Sequence, residues 1–182
     1  MTLLYQAVAD TVARAARPLL LSGDCTTALG AVAGLQRRNR DVAVVWRDGH
    51  GDFNTPATTI TGYLGGMPLA MLAGRAPEPI CDPLRLRPVA DSDVVLADAR
   101  DLDPAERDAL TASQVRRVPA DPATITAALG RLGRMPVYLH VDVDIIALRT
   151  HRDRAMVDAM LLGGLRRCEV LGLRVEDLSA GD

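Results

Sequence analysis

Three short runs of aliphatic, mostly β-branched residues limit what this chain can fold into: "DVAVVW" at 41–46, "DVVLAD" at 93–98 and "PVYLHVDVDII" at 136–146. The first two are nearly continuous in apolar character, as strands buried on both faces of a parallel sheet must be, and such a sheet needs helices on both sides. The text between them supplies the helices. One is predicted at about Leu4 to Ala16, another from Thr26 to Arg38 and a third near Met67 to Ala73. Two more open on Asp-Pro, at "DPAERDALTAS" and "DPATITAALGRLG", with proline at the first helical position. "PLLLSGD" (18–24) and "VRRVP" (115–119) read as further short strands, and the Pro-rich stretch 76–92 as an excursion. The alternation predicts an α/β fold of three αβα layers around a mostly parallel sheet.

Composition narrows the chemistry. With 182 residues, 48% of them hydrophobic, there is enough apolar material for one core. The formal charge is −2, so nothing draws the chain to a polyanion, and nucleic acid and anionic membrane are poor partners. All 21 basic residues are arginine. A Schiff-base lysine, a lysine general base and a lysine phosphate loop are thereby excluded. Cys25, Cys81 and Cys168 lie far apart, without a C-x-x-C pair or a disulfide framework, which points to a reducing, cytoplasmic setting. Asp10 and two arginines, Arg14 and Arg17, interrupt the first 24 residues, as in an amphipathic helix rather than a secretion signal. No run approaches the roughly 20 apolar residues that span a bilayer.

In open α/β sheets, ligands sit at the carboxyl ends of strands. Three clusters fall there: "SGDC" at 22–25, "DGHGD" at 48–52 and "DVD" at 142–144. The strand period of two places His140, Asp142 and Asp144 on one face, with the two aspartates about 7 Å apart along the strand. Glycines at 49 and 51 leave the backbone free to bring Asp48, His50 and Asp52 to one point. Four carboxylates at one sheet edge repel, and burial raises their pKa values unless cations neutralise them. Two divalent ions would do so, and mixed carboxylate–imidazole ligation suits Mn²⁺, Zn²⁺ or Fe²⁺ better than Ca²⁺. An aspartate at a strand end is also a common turn residue, and His140, farthest from the strand end, reads as a core residue.

The same residues carry a resemblance to the arginase, agmatinase and formiminoglutamase family, the ureohydrolases. "LSGDCTTALGAVAGL" is similar to that family's G-G-D-H-S motif, "VVWRDGHGDFNTPATTITGYLGGMPLAMLAG" to its W-x-D-A-H-x-D block and "VYLHVDVDI" to its S-x-D-x-D block. The resemblance implies a metal-dependent hydrolase of guanidino or linear amidine C–N bonds, with two Mn²⁺ ions that activate a shared water. It assigns Asp48 and Asp142 to both ions, His50 and Asp144 to one, and Asp52 with residue 25 to the other. Asn54 and Thr61 fall on substrate-binding positions. It also implies a small guanidino or amidine substrate and a homo-oligomer.

Departures from the family pattern are equally specific. Cys25 stands where the first histidine ligand is expected, which brings Zn²⁺ into consideration. Gly65 in "TGYLGGMP" occupies the position of the family's catalytic histidine, and Tyr63 replaces an asparagine in the same loop. The resemblance covers residues 19–146, so the arginase-like domain, 1–147, is expected to be truncated and its sheet incomplete at both ends. From Leu148 to Asp182 the text resembles the opening of a tyrosine recombinase catalytic domain, with Arg166 and Glu169 on its first box, and a helical tail is expected there. An alternative follows: a catalytically inactive ureohydrolase relative that serves as a metal-binding or interaction protein.

Overall fold

A computed structural model of the chain describes residues 2–38, 41–76 and 80–145. The chain divides by its contacts after Val143, and the account below concerns the first unit except where Asp144 and Ile145 are named. The expected helical tail at 148–182, with Arg166, Cys168 and Glu169, lies outside the described residues.

The sheet has four parallel strands: β1 (Ala43–Asp48), β2 (Val94–Asp98), β3 (Arg116–Val118) and β4 (Val137–Val141), in the spatial order β3-β2-β1-β4. The helices are α1 (Thr2–Arg14), α2 (Thr27–Gln36), α3 (Pro68–Leu72), α4 (Cys81–Leu84), α5 (Pro104–Thr111) and α6 (Pro122–Gly130). Alternate residues of β1 and β2 feed two separate cores. Val44, Trp46, Val94 and Leu96 pack with residues of α1 to α5, whereas Ala43, Val45, Val95, Ala97 and Val118 pack with Ala128 of α6 and Leu132 beyond it. Both faces of the central strands β1 and β2 are therefore covered, while Val137, Leu139 and Val141 on one face of β4 are exposed, and the α/β expectation of a mostly parallel sheet between helices holds.

The path of the chain explains the layers. It moves outward from β1 to β2 to β3, with α3, α4 and α5 on one face, then crosses back beneath the other face through α6 to place β4 on the far side of β1. Parallel crossovers are right-handed almost without exception, so a reversal of direction across the sheet requires a change of face. That reversal makes the β1–β4 junction a topological switch point, the place where ligands bind in open sheets of this kind.

Helix α2 is apolar all round, and nearly every residue in it is buried between α1 and the sheet. The Tyr5 hydroxyl pairs with the Thr26 hydroxyl at 2.6 Å and ties α1 to the start of α2.

Two expectations fail. "PLLLSGD" forms no strand: Leu19 and Leu21 are almost fully exposed and no ladder partner adjoins them among the described residues. An apolar triplet is a strand only if an edge receives it, a long-range fact that local periodicity does not contain. The last strand is also shorter than its apolar run. The ladder ends where the Asp142 amide donates to the Arg47 carbonyl at 2.9 Å, β1 stops at Asp48, and Val143–Ile145 turns into a 3-10 helix. The two-residue alternation thus reaches Asp142 but not Asp144.

Candidate metal centre

The site grows from the ends of β1 and β4. Asp48 is the last residue of β1 and 1% exposed. Its Oδ1 accepts the His50 amide at 2.8 Å and lies 3.4 Å from Nδ1 of His50, whose ring is solvent-exposed. Two residues on, Asp52 takes a left-handed backbone, φ 47°, a conformation that aspartate tolerates better than most residues. The twist aims its carbonyl at the amides of Leu69 and Ala70, at 2.9 and 3.1 Å, and so caps the start of α3. Gly51 is required by contact: a Cβ there would lie 2.6 Å from Leu102 and 2.7 Å from Glu106.

Glu106, on α5, is buried beneath this loop and accepts the Phe53 amide at 2.8 Å and the Asp103 amide at 3.3 Å. Burial pushes its carboxyl upward against the pull of those two amides. Sequence reading saw a helix start at Asp103 but not this buried support. The signal was the glutamate three residues after the cap, whose reach to Phe53 is a tertiary fact.

From β4, Asp142 comes within 3.3 Å of the Cys25 thiol, which donates to Oδ2. His140 stacks on Trp46 of the neighbouring strand, with ring centroids 3.7 Å apart and planes 13° from parallel, and its Nε2 is 3.9 Å from Asp48 Oδ2. Donor atoms of Cys25, Asp48, His140 and Asp142 all lie within 4.8 Å of one another. The period-two argument that placed Asp142 on this face also placed His140 there, and its stack on buried Trp46 agrees with its reading as a core residue while its Nε2 lies among the donor atoms. Asp144 lies in the 3-10 turn Val143–Ile145 and is half-buried.

The electrostatics of this cluster would favour a cation. Burial, reinforced by Asp52, Asp142 and Asp48, pushes the Cys25 thiol far up, so it is protonated at neutral pH. Burial and the Asp48 charge likewise hold the Asp52 carboxyl well above its ordinary range. Asp52 Oδ2 is buried and has no hydrogen-bond partner, a costly arrangement for a carboxylate. Such an orphaned oxygen beside a thiol, an imidazole and two further carboxylates is what a divalent ion would satisfy.

The substrate-side positions are arranged differently. The Asn54 amide is buried; its Nδ2 donates to Asp103 at 3.0 Å and its Oδ1 accepts from Thr58 at 2.9 Å. Thr61 is exposed, and its hydroxyl accepts the Tyr63 amide at 3.2 Å. Tyr63 donates its phenol to Asp24 Oδ2 at 3.0 Å, and its ring lies over Gly65: a Cβ at 65 would meet ring carbons at 2.4 Å and the hydroxyl oxygen at 2.5 Å. Lost water around the hydroxyl, with Asp24 beside it, pushes the phenol up to about 12.

The profile of the arginase family matches residues 1–150. The chain is 32% identical over 170 residues to the N(omega)-hydroxy-L-arginine amidinohydrolase of Streptomyces lavendulae, an alignment covering 89% of this chain and 60% of the relative. It is 34% identical over 158 residues to arginase-1 of Sus scrofa, covering 76% and 49% respectively. Among solved structures, the arginase of Bacillus cereus superposes with a TM-score of 0.71 at 28% identity over 79% of this chain and 53% of that one. The formimidoylglutamase of Bacillus subtilis, at 17% identity and a TM-score of 0.60, shares the fold. The chain thus spans 60% or less of the length of these relatives.

Proposed function

Since the chain belongs to the arginase family, we propose that it is a divalent-metal hydrolase of a carbon–nitrogen bond in a small guanidino or linear amidine compound. One observation carries this reading: Cys25, Asp48, His140 and Asp142 converge at the β1–β4 switch point, with the orphaned Asp52 carboxylate nearby. On this reading Asp48 and Asp142 are shared between two ions, Cys25 and Asp52 complete one, and His50 and Asp144 are carried to the other by motif resemblance. Two such ions lower the pKa of a water and stabilise developing charge, so no protein nucleophile is required. Mn²⁺ is the metal the resemblance implies.

The chain's own residues set the rest. Asp48 and Asp142, fixed by the last ladder contacts of β1 and β4, hold the donors at the floor of the cleft. Asn54 and Thr61 line the loop where a substrate's polar end would be read. With glycine at 65, no imidazole stands there to protonate the departing amine, and acid–base assistance of that kind is worth roughly 10²- to 10⁴-fold. Slow turnover is therefore expected. No helix among the described residues is long and apolar enough to cross a membrane, and we place the enzyme in the cytoplasm, as a homo-oligomer.

The test is metal analysis of the purified chain with an assay of the amine released (ornithine or putrescine) together with urea or hydroxyurea, on L-arginine, Nω-hydroxy-L-arginine and agmatine, before and after Mn²⁺ loading. Amine release that depends on added metal, with urea from arginine or agmatine or hydroxyurea from the hydroxylated substrate, is expected with at least one of them. Stoichiometric metal with no turnover of any guanidino or amidine compound would sink the enzymatic reading and leave a metal-binding relative.

A further inference from the structure

We propose that His140 and Cys25 together convert the inner part of this site into a four-donor Cys/His/Asp/Asp centre for a zinc-class ion (Zn²⁺ or Co²⁺), with Asp48 and Asp142 as the two oxygen donors. The inference rests on the placement of metal at this cleft and adds a ligand, His140, and a preference that the motif resemblance does not contain.

Geometry is the first support. A tetrahedral ion with a metal–sulfur bond of about 2.3 Å and metal–oxygen and metal–nitrogen bonds of about 2.0 Å separates S from O by about 3.5 Å and N from O by about 3.3 Å. In the structure Cys25 Sγ is 3.3 Å from Asp142 Oδ2, His140 Nε2 is 3.9 Å from Asp48 Oδ2, and no pair of donors is farther apart than 4.8 Å. Small side-chain rotations close the remainder.

Orientation is the second. The His140 ring is clamped against Trp46, which is fully buried, and its Nδ1 lies 3.4 Å from the Tyr138 hydroxyl. With Nδ1–H donating to Tyr138, Nε2 keeps its lone pair on the side of Asp48. The hydroxyl can accept or donate, and in its accepting role it is the kind of outer partner that accompanies a metal-binding histidine.

Donor chemistry is the third. A thiolate and an imidazole with two carboxylates form a softer set than the oxygen-rich environment that suits Mn²⁺. Asp52 is not one of the four donors, but its carboxyl lies close enough to act on Cys25 and adds negative charge beside the sulfur, where a cation would be favoured. On binding, the Sγ–metal bond replaces the Sγ–H bond and the proton leaves to solvent.

The experiment is a Co²⁺ titration of the metal-free, full-length chain. One equivalent should produce a near-ultraviolet thiolate-to-cobalt charge-transfer band and visible bands of four-coordinate intensity. Zn²⁺ should erase them at equimolar concentration, and Mn²⁺ should not at tenfold excess. Cys25→Ser should remove the charge-transfer band. His140→Phe keeps an aromatic ring on Trp46 but removes the donor, and should weaken Co²⁺ binding at least 10- to 100-fold, the loss typical even of outer partners.

A second readout needs no His140 variant. The cobalt-loaded wild type should show a paramagnetically shifted, exchangeable imidazole N–H signal that persists in His50→Gln. Unchanged affinity and visible bands in His140→Phe, or absence of that signal, would overturn the assignment of His140. Stoichiometric Mn²⁺ binding without any charge-transfer band would overturn the zinc-class centre while leaving the hydrolase reading intact. A formed centre with no guanidino turnover does the reverse, and a chain that binds no divalent ion loses both.

Discussion

The two sides of the cleft follow different rules. On the ligand side, at the ends of β1 and β4, donor atoms of two carboxylates, a thiol and an imidazole lie within 4.8 Å of one another, and a buried Asp52 oxygen has no hydrogen-bond partner among the described residues. On the loop side, residues 61–67, the chain has satisfied itself: Tyr63 lies over Gly65, and its hydroxyl is engaged by Asp24. One side is strained toward a ligand and the other relaxed without one. A protein that only needed to fold would be expected to neutralise both, since buried like charges are costly and easily replaced. The contrast is the one expected if the ligand side holds a cation and the loop side does not, and it can be tested residue by residue.

The most severe way to break this comparison is Asp48→Asn, which keeps the side chain's shape and removes a charge common to the whole donor set. The expected outcome is loss of stoichiometric metal and of any metal-dependent turnover, with the fold retained because the amide oxygen can still accept the His50 N–H. Apo stability should rise slightly, because the Asp48 charge is one of the influences holding Asp52 and Cys25 up. Mass-spectrometric metal content and urea midpoints of the apo forms would check both halves. Retained metal at wild-type stoichiometry would mean that the strain on this side has another origin.

Gly65→His probes the loop side. In the wild-type loop the new Cβ collides with the tip of the exposed Tyr63 ring, so the single variant must swing that ring aside and lose its bond to Asp24, at a stability cost of about 0.5–1.5 kcal/mol, the net worth of one hydrogen bond. The double variant Gly65→His with Tyr63→Asn removes the obstacle. It should recover most of the stability and raise turnover by a factor within the roughly 10²–10⁴ that general acid catalysis contributes. Stability curves and kcat for the two variants separate the effects. Equal destabilisation in both would show that Tyr63 is not what fills the space.

How much of this could be read from the sequence follows from the range of the interactions involved. The β1 run and its acidic terminus were legible because burial on both faces writes a continuous apolar string, and because the switch point is a property of strand order. That route pointed to Asp48 and Asp142, whose carboxylates the structure brings together with Cys25 and His140, and to Asp52, which stands outside that donor group. His140 obeyed the same periodicity and was discounted, because the stack on Trp46 that turns its ring toward Asp48 is a cross-strand contact. Leu19 to Leu21 looked like a strand and is an exposed segment, since strandedness there depends on an edge elsewhere. Glu106 and the Tyr63–Gly65 contact were illegible for the same reason: their partners, Phe53 and Asp24, lie 53 and 39 residues away along the chain.

The smallest effect should come from a site outside both sides. The Arg75 guanidinium grips the Asp91 carboxylate with both of its ends and sits 4.8 Å above the Phe53 ring, while the Gln114 amide adds a third contact to Asp91 at 3.2 Å. Arg75 and the Gln114 amide hold the Asp91 carboxyl below the usual range. A carboxyl depressed in the folded state stabilises it above the unfolded-chain value of about 3.9 and loses that contribution as pH falls from there through the lower folded value. Asp91→Asn should therefore lower stability by only ~1 kcal/mol at neutral pH, because both side chains are partly exposed and screened. The gap to wild type should close in strong acid. Urea midpoints at pH 7 and below pH 3 measure this. Metal content and turnover should not move, because Asp91 reaches the cleft only through Arg75 and the far face of Phe53. A variant that loses metal as well would mean that the loop carrying Asp52 is held in its strained shape from outside the cleft, and the division between a ligand side under strain and the rest of the molecule would have to be redrawn.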